Sequence, residues 1–239
     1  MFGAIAGGMV AAAAAYAGYG AMGPSSQLYG RSFLGVPGTK LLALTYDDGP
    51  NDPHTLRLLD VLARHQVKAT FFLIGRYVAQ RPDIVRRIKD GGHAIGNHTY
   101  THPLLIFASS AQLRRELDDT DKAIAGAIGS HDGLFRPPYG GRRPGTFAAV
   151  RARGMVPVMW TVTCYDWKAR TPDAVEQRAV SGICGGDVIL LHDGSHVRMG
   201  ADRMPTVEAS ERLIRRCQAE GYEFVSVPEM MRRGLAASQ

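Results

Sequence analysis

The sequence has few cysteines, and their arrangement excludes a disulfide framework. Only three of the 239 residues are cysteine, Cys164, Cys184 and Cys217, and they form no C-x-x-C pair. A framework of disulfides needs paired cysteines, and a redox motif needs closely spaced ones. We therefore expect free thiols packed in the core, where cysteine behaves as a small hydrophobe.

Internal repeats, low-complexity linkers and long apolar runs are absent after residue 30. The formal net charge is +6, which favours contact with anionic surfaces such as lipid headgroups or acidic wall polymers. Arginine pairs such as Arg142–Arg143 occur, but no recognised nucleic-acid module accompanies them. We interpret these arginines as scattered solvated side chains and expect no nucleic-acid partner.

The first 30 residues differ in composition from the rest. Residues 1–29 carry no charge and are rich in alanine and glycine, and the first charged side chain is Arg31. Their length would span a bilayer, but they are weakly apolar and lack the basic start of a secretory signal. Residues 1–30 are thus either a membrane anchor or a loosely packed extension, and 31–239 are expected to form one domain.

Short apolar runs alternate with longer amphipathic runs from Lys40 onward, a pattern typical of βα units around a parallel sheet. Strands are predicted at 41–46, 69–75, 93–98, 134–138, 156–162, 187–192 and 224–227. Helices are predicted at 53–65, 77–90, 110–128, 144–153, 172–183, 205–220 and 228–233.

Polar side chains follow the ends of several predicted strands. βα barrels gather catalytic side chains at the carboxyl ends of many strands, whereas an open sheet concentrates its site near one switch point. The sequence therefore favours an α/β barrel of about seven parallel strands. The polar residues at these ends are Asp47, Asp48, His98, Arg136, Asp166 and His192.

The residues at two of these strand ends together predict a metal site. Asp47 and Asp48 are adjacent in LTYDDGPND, and His98 and His102 are spaced i, i+4 in NHTYTHP, which predicts a short helix with both rings on one face. Alone, the aspartates would be turn residues and the histidines a surface pair. Together they offer one carboxylate and two imidazoles, a set that leaves a coordination position for water. The second carboxylate is left for proton transfer.

Five segments occur in order over residues 40–230: TYDDGP, HTYTH, RPPYG, YDW and VILLHDG. In these motifs the sequence resembles the polysaccharide deacetylases of carbohydrate esterase family 4, the NodB homology domain. The resemblance implies a distorted (β/α) barrel with a groove for sugar polymers. It also implies one divalent metal ion, usually zinc and in some members cobalt or another ion.

The resemblance further implies roles for the first three motifs. Asp48, His98 and His102 would hold the metal, and Asp47 would be the general base, oriented by Arg136. These roles agree with general chemistry, because a metal polarises a carbonyl and acidifies water, whose proton a nearby carboxylate can take.

The remaining implied roles concern the leaving group and the substrate. His192 would be the general acid, held by Asp166, because an amine leaves well only when it is protonated. Tyr139 would give its backbone N–H to the oxyanion, while Trp167 and Leu190 would line the pocket for the acetyl methyl.

Some positions depart from the family pattern. Tyr46 replaces a commoner phenylalanine, and Thr163 stands where the fourth motif often has an acid, which leaves substrate positioning there open. Asp193 and His196 are close enough in sequence to the site to touch substrate. The histidines that match no motif are expected at the surface or behind the site, namely His54, His65, His93, His131 and His196.

The leading hypothesis is a metal-dependent hydrolase that removes acetyl groups from N-acetylated amino sugars of a chitin-like or peptidoglycan-like glycan, acting on carbon–nitrogen bonds other than peptide bonds. An O-acetyl esterase on xylan-like polysaccharide and a catalytically silent carbohydrate-binding protein stay open as alternatives. We expect a monomer. The resemblance implies a location in the cell envelope or outside the cytoplasm, and residues 1–29 could associate with a membrane.

Overall fold

The structure, a computed structural model, describes residues 2–236, with side chains from residue 12 onward. Helix α1 spans Phe2–Met22. Of the predicted N-terminal segment, Met1 and the side chains of residues 2–11 lie outside the described residues. No helix in the described part of the chain has both the length and the apolar character needed to cross a membrane. The division of the chain at residue 30 stays a prediction.

Within residues 2–236, eight strands form one sheet, and every ladder between them is parallel. The order is β5-β4-β3-β2-β1-β7-β6, and β8 pairs with the start of β1. The strands are β1 (Leu41–Gly49), β2 (Thr70–Leu73), β3 (Ala94–Asn97), β4 (Leu134–Phe135), β5 (Val156–Pro157), β6 (Val162–Thr163), β7 (Asp187–His192) and β8 (Glu223–Phe224).

The sheet is curled, and its two end strands, β5 and β6, follow each other in the chain. Val158, just after β5, donates its N–H to the Phe135 carbonyl of β4 (2.8 Å), and Thr161 donates its N–H to the Val188 carbonyl of β7 (3.0 Å). Residues 158–161 therefore carry the chain from one end of the sheet to the other. The single strand predicted at 156–162 is two short strands joined by this crossing. The predicted distorted barrel of parallel strands is confirmed.

Helices surround the sheet, mostly within one or two residues of the predicted ranges. The helix predicted at 77–90 is instead two helices that break at Arg81, because Pro82 lacks an N–H and disfavours helical geometry in the residue before it. The helices are α2 (His54–Arg64), α3 (Gly75–Gln80), α4 (Pro82–Asp90), α5 (Ser110–Ile128), α6 (Thr146–Arg151), α7 (Pro172–Gly182), α8 (Met204–Ala219) and α9 (Val227–Ala236).

Both faces of β1 are buried, as expected for a strand of a parallel sheet. Leu42 and Leu44 pack in one cluster with side chains of α2, α4, α7 and α8, while Ala43 lies in a second cluster with residues of α5 and α6. Among the cysteines, Cys164 and Cys217 are buried as predicted, but Cys184 is exposed. The core thus leaves the carboxyl ends of the strands as the place where polar groups meet.

Candidate active site

A cleft of about 410 Å³ opens at the carboxyl ends of the strands. Arg136 and Asp166 are buried and reach this cleft only through Asp47 and His192, which they contact. The other residues predicted for the site all line the cleft: Asp47, Asp48, His98, His102, Tyr139, Trp167, Leu190 and His192.

An irregularity at the end of β1 turns both aspartates toward the cleft. Neighbouring side chains of a regular strand point to opposite faces, so the sequence alone leaves one aspartate as a turn residue. In the structure the pairing with β2 shifts register between Asp47 and Gly49, and Asp48 has φ +72°. Such a bulge redirects side chains, and here it brings the two carboxylates to one site.

The two histidines are carried by a loop, not by the predicted helix. His98 continues the ladder of β3 by donating its N–H to Leu73 (3.0 Å), and the following segment to residue 103 is irregular. Thr99 and His102 have φ +67° and +63°, and the carboxylate of Glu116 accepts the N–H groups of the residues between them, at 100 and 101. This loop brings the two imidazole centroids to 4.9 Å.

Asp48, His98 and His102 could together hold a metal ion, since their ligand atoms lie within 4.8 Å of one another and all three residues are buried. Asp48 Oδ1 lies 3.2 Å from His102 Nε2 and 3.6 Å from His98 Nε2. This oxygen is buried and has no hydrogen-bond partner in the described part of the chain. An unpartnered carboxylate oxygen facing two imidazoles fits a divalent cation of the kind that N and O ligands bind.

The protonation states of these groups suit metal binding. His98 Nδ1 contacts the Arg136 carbonyl at 2.7 Å, so it donates there and leaves Nε2 as the ligand atom. Burial lowers the pKa of His98 to about 4, which keeps the ring neutral. Burial by itself would raise the pKa of Asp48, but the neighbouring imidazoles of His102 and His196 outweigh it and hold this pKa well below its usual value.

Arg136 fixes one oxygen of Asp47. The guanidinium is completely buried and donates to Asp47 Oδ1 and to Thr45 Oγ1, both at 2.8 Å. It also lies 4.1 Å from the ring centroid of Phe72, and burial lowers its pKa despite the charge of Asp47. Asp47 Oδ2 is left 3.8 Å from His98 Nε2, beside the three predicted ligands.

Asp166 binds His192 twice. Its Oδ1 is 2.9 Å from His192 Nδ1, and its Oδ2 accepts the His192 N–H at 2.7 Å. Asp166 is not a helix cap, because Thr171 caps α7. Burial would lower the pKa of His192, but the charge and hydrogen bond of Asp166, with smaller contributions from Asp48 and Asp47, raise it to about 9.

Three predicted substrate contacts surround these groups. Tyr139 lies in a short 3₁₀ turn, Pro138–Gly140, with φ +57°, and its ring centroid is 4.6 Å from that of His102. Trp167 packs edge-on against His192, with centroids 5.0 Å apart. Together with Leu190, these side chains give the polar centre an apolar wall.

The chain matches a known protein family over this fold and site. The family profile described as polysaccharide deacetylase matches residues 35–158. The chain is also 34% identical over 204 residues to a peptidoglycan-N-acetylglucosamine deacetylase of Bacillus cereus. The matched region covers 84% of this chain and 72% of that protein. The chain belongs to the polysaccharide deacetylase family.

Another relative in the polysaccharide deacetylase family and a solved structure are also similar to the chain over most of their length. A chitooligosaccharide deacetylase of Bradyrhizobium is 36% identical over 210 residues, covering 84% of this chain and 94% of that protein. The crystal structure of the peptidoglycan N-acetylglucosamine deacetylase Bc1960, in complex with 4-naphthalen-1-yl-N-oxidanyl-benzamide, superposes with a TM-score of 0.78. It is 33% identical and covers 83% of this chain and 91% of that one.

Several cleft residues of this polysaccharide deacetylase family member were missed by the sequence motifs. Trp160 lines the cleft and donates its indole N–H to Thr163 Oγ1 at 2.8 Å, so the threonine that departs from the fourth motif has a partner in the site wall. The segment after β7 also contributes, and only its proximity to the fifth motif pointed to it. Its cleft residues are Ser195, His196, Val197 and Arg203.

The burial of several other polar residues differs from what the sequence predicts. Arg142 is completely buried, although it was interpreted as a solvated arginine, and His54 and His93 are buried as well. Asp193, expected to lie close enough to touch substrate, is instead completely buried and does not line the cleft. It accepts a hydrogen bond from Thr55 Oγ1, and its pKa is raised to about 7, chiefly by burial. A single sequence gives no periodic or spacing signal for such isolated buried polar groups.

Proposed function

We propose that this protein is a metal-dependent hydrolase that removes acetyl groups from N-acetylated amino sugars of a glycan. One observation carries the proposal. A single cleft combines three side chains able to hold a cation, a carboxylate held by a buried arginine and a histidine held by a buried carboxylate. Family relatives named as peptidoglycan and chitooligosaccharide deacetylases support a glycan of N-acetylglucosamine units as the substrate.

Asp48, His98 and His102 hold the metal ion in this proposal. Two imidazoles and one carboxylate form a donor set that zinc favours in catalytic sites, so zinc is our first choice and cobalt the second. When bound, the ion supplies Lewis-acid polarisation of the acetyl carbonyl and lowers the pKa of water.

Asp47 acts as the general base. Arg136 donates to Oδ1 and so fixes the carboxylate plane, which leaves Oδ2 to take the proton of the attacking water. A base held in one orientation needs little reorganisation when the proton moves.

His192 acts as the general acid. Its Nδ1 is bound to Asp166, so Nε2 is the nitrogen that donates a proton to the leaving amine. The raised pKa of about 9 keeps the imidazole protonated at neutral pH, the state that donation requires. The Tyr139 N–H stabilises the oxyanion, and Trp167 and Leu190 surround the acetyl methyl.

The proposed location follows from the substrate. A polymeric wall glycan lies outside the cytoplasm, so the protein acts in the cell envelope or beyond it. A net charge of +6 favours adsorption to an anionic wall surface. We propose a monomer, because all the proposed catalytic groups come from one chain.

Acetate release from a panel of substrates tests the function. We expect release from N-acetylglucosamine oligomers and peptidoglycan, loss of release after chelation, and recovery on adding Zn²⁺ or Co²⁺. Asp48→Ala should abolish release, whereas the matched control Asp119→Ala, on the exposed side of α5, should not. Release that persists after chelation contradicts the mechanism, and release only from acetylated xylan identifies an O-acetyl esterase instead.

A further inference from the structure

The segment Gly194–Val197, which follows β7, begins at the last residue of the fifth motif, and its residues 195–197 form one wall of the cleft. It runs closely along the end of β1. Gly194 donates its N–H to the Asp47 carbonyl (3.4 Å), and a Cβ on Gly194 would overlap the Asp48 carbonyl oxygen. Only glycine permits this approach, which places His196 beside the predicted metal ligands.

The backbone of His196 fixes the carboxylate of Asp48. Its N–H donates to Asp48 Oδ2 at 3.2 Å, and its ring Nδ1 lies 3.7 Å from the same oxygen. Both contacts are with Oδ2, whereas Oδ1 faces His98 and His102. The carboxylate is therefore held with one oxygen directed at the two imidazoles.

The ring of His196 packs flat on His102. Their centroids are 4.6 Å apart and the ring planes differ by 15°. His98 has a hydrogen bond to the Arg136 carbonyl that orients its ring. His102 Nδ1, by contrast, is buried without a hydrogen-bond partner among the described residues. The His102 ring also contacts Tyr139, with ring centroids 4.6 Å apart. Its plane is therefore set by packing against the rings of His196 and Tyr139.

Three side chains hold the segment in place. The guanidinium of Arg76 donates to the carbonyl of His196, and the hydroxyl of Tyr77 donates to the Ser195 carbonyl at 3.0 Å. Arg203 donates from Nε to the Gly194 carbonyl at 2.6 Å. His196 is thus presented from a braced backbone.

We propose that His196 is a positioning residue of the metal centre, whose ring fixes the orientation of His102 for metal binding. The inference rests on the metal site of the proposed function. Outer groups that hydrogen-bond to a metal ligand and orient it typically change metal affinity 10–100-fold when they are removed, and we expect an effect of the same order from a ring that orients the ligand by packing. The effect should therefore appear in metal binding itself, before any turnover.

Zinc affinity, measured by competition with a chromophoric chelator, tests the inference. We expect His196→Ala to bind Zn²⁺ about 10–100-fold more weakly than the wild type, and His196→Phe, which keeps a flat ring on His102, to recover most of the loss. The absorption bands of the Co²⁺-loaded protein should shift in the alanine variant and return in the phenylalanine variant. The neighbouring Val197→Ala, a cleft residue that is 74% exposed, is the matched control and should bind like the wild type.

The possible outcomes distinguish a failure of this inference from a failure of the proposed function. If His196→Ala binds zinc like the wild type, the inference is wrong, even if turnover falls. If His196→Phe binds as weakly as His196→Ala in folded protein, ring packing is not the cause and the inference is again wrong. If the wild-type protein binds no zinc, the proposed metal site is wrong, and the proposed function is wrong with it.

Discussion

Asp47 and Asp48 are neighbours in the chain, yet their surroundings separate their roles. Asp47 is paired with a permanent cation, Arg136, at 2.8 Å. Asp48 faces imidazoles, and one of its oxygens has no hydrogen-bond partner in the described structure. The first arrangement is complete without a metal, whereas the second leaves a carboxylate oxygen that a metal ion would bind.

Replacing Asp47 and Asp48 separately by asparagine should therefore affect zinc binding and activity differently. Asp47→Asn should bind zinc with an affinity close to that of the wild type but lose about 10²–10⁴-fold in acetate release, the usual contribution of a general base. Asp48→Asn should lose both zinc binding and activity. Metal content and acetate release, measured on the same preparations, check the pair. Equal loss of zinc in both variants would show that Asp47 is a ligand rather than the base.

The pair Asp166–His192 predicts the alkaline side of the pH profile. The pKa of His192 is raised to about 9, so the acid form is present below this pH and is lost as the pH rises through it. Asp166→Asn removes the charge that opposes burial, and the pKa should then fall. A bound cation would offset the contributions of Asp47 and Asp48, which leaves Asp166 as the partner that matters.

The rate of deacetylation, measured as kcat from pH 5 to 10, tests this prediction. The wild type should lose activity near pH 9, and Asp166→Asn should lose it at a lower pH. Asp173→Asn is a suitable control, since this aspartate is exposed and interacts with Arg212 on α8. An alkaline limb at the same pH in Asp166→Asn and the wild type would argue against His192 as the acid.

The helices and strands show how far the sequence determines the fold. Helix α5 has the ends that the sequence predicts, 110 and 128; in the structure the side chain of Ser109 caps its start, and Gly129 follows its end with φ +85°. The strand ends were predicted less well. The bulge at Asp48 and the loop 98–103 depend on positive φ angles at non-glycine residues, which tertiary contacts such as those of Glu116 stabilise. Local patterns therefore gave the site residues but not how the chain presents them.

The N-terminal helix is joined to the barrel by one buried arginine, which composition alone could not reveal. Arg142 donates to the carbonyls of Gly140 (2.9 Å), Gly23 (2.7 Å) and Ser26 (2.8 Å). Its own N–H donates to Ala21 near the end of α1. The turn that carries Tyr139 and the residues after α1 thus share one guanidinium. The residues after α1 are therefore a packed part of the structure.

Replacing Arg142 with methionine should loosen this junction. The carbonyl groups that lose their donor are partly or fully buried, and each such group costs about 1–3 kcal/mol when it is left unsatisfied. We expect the free energy of unfolding to fall by about that amount or more, as measured by urea denaturation. Arg170→Met, at an exposed position, should change it little. Equal stability of the two variants would show that the N-terminal segment is not held by Arg142.

The barrel joins residues that are distant in sequence at one candidate ion site. Asp48 ends β1, while His98 and His102 follow β3, two strands away in the sheet. The unfolded chain does not hold these three groups together, so an ion that binds them favours the folded state. Metal binding should therefore be visible in the stability of the complete domain.

Zinc should raise the melting temperature of the protein by an amount that grows with the logarithm of the ratio of its concentration to the dissociation constant. At 100 times that constant, the stabilisation is about 2.7 kcal/mol, which corresponds to roughly 5–11 °C for a domain of this size. His102→Ala should remove most of the shift, because two ligands bind far more weakly than three. His65→Ala, whose ring pairs with Glu211 between α2 and α8, should keep it. Thermal unfolding with and without zinc distinguishes the variants, and an equal shift in His102→Ala and the wild type would mean that the stabilising ion binds elsewhere on the barrel.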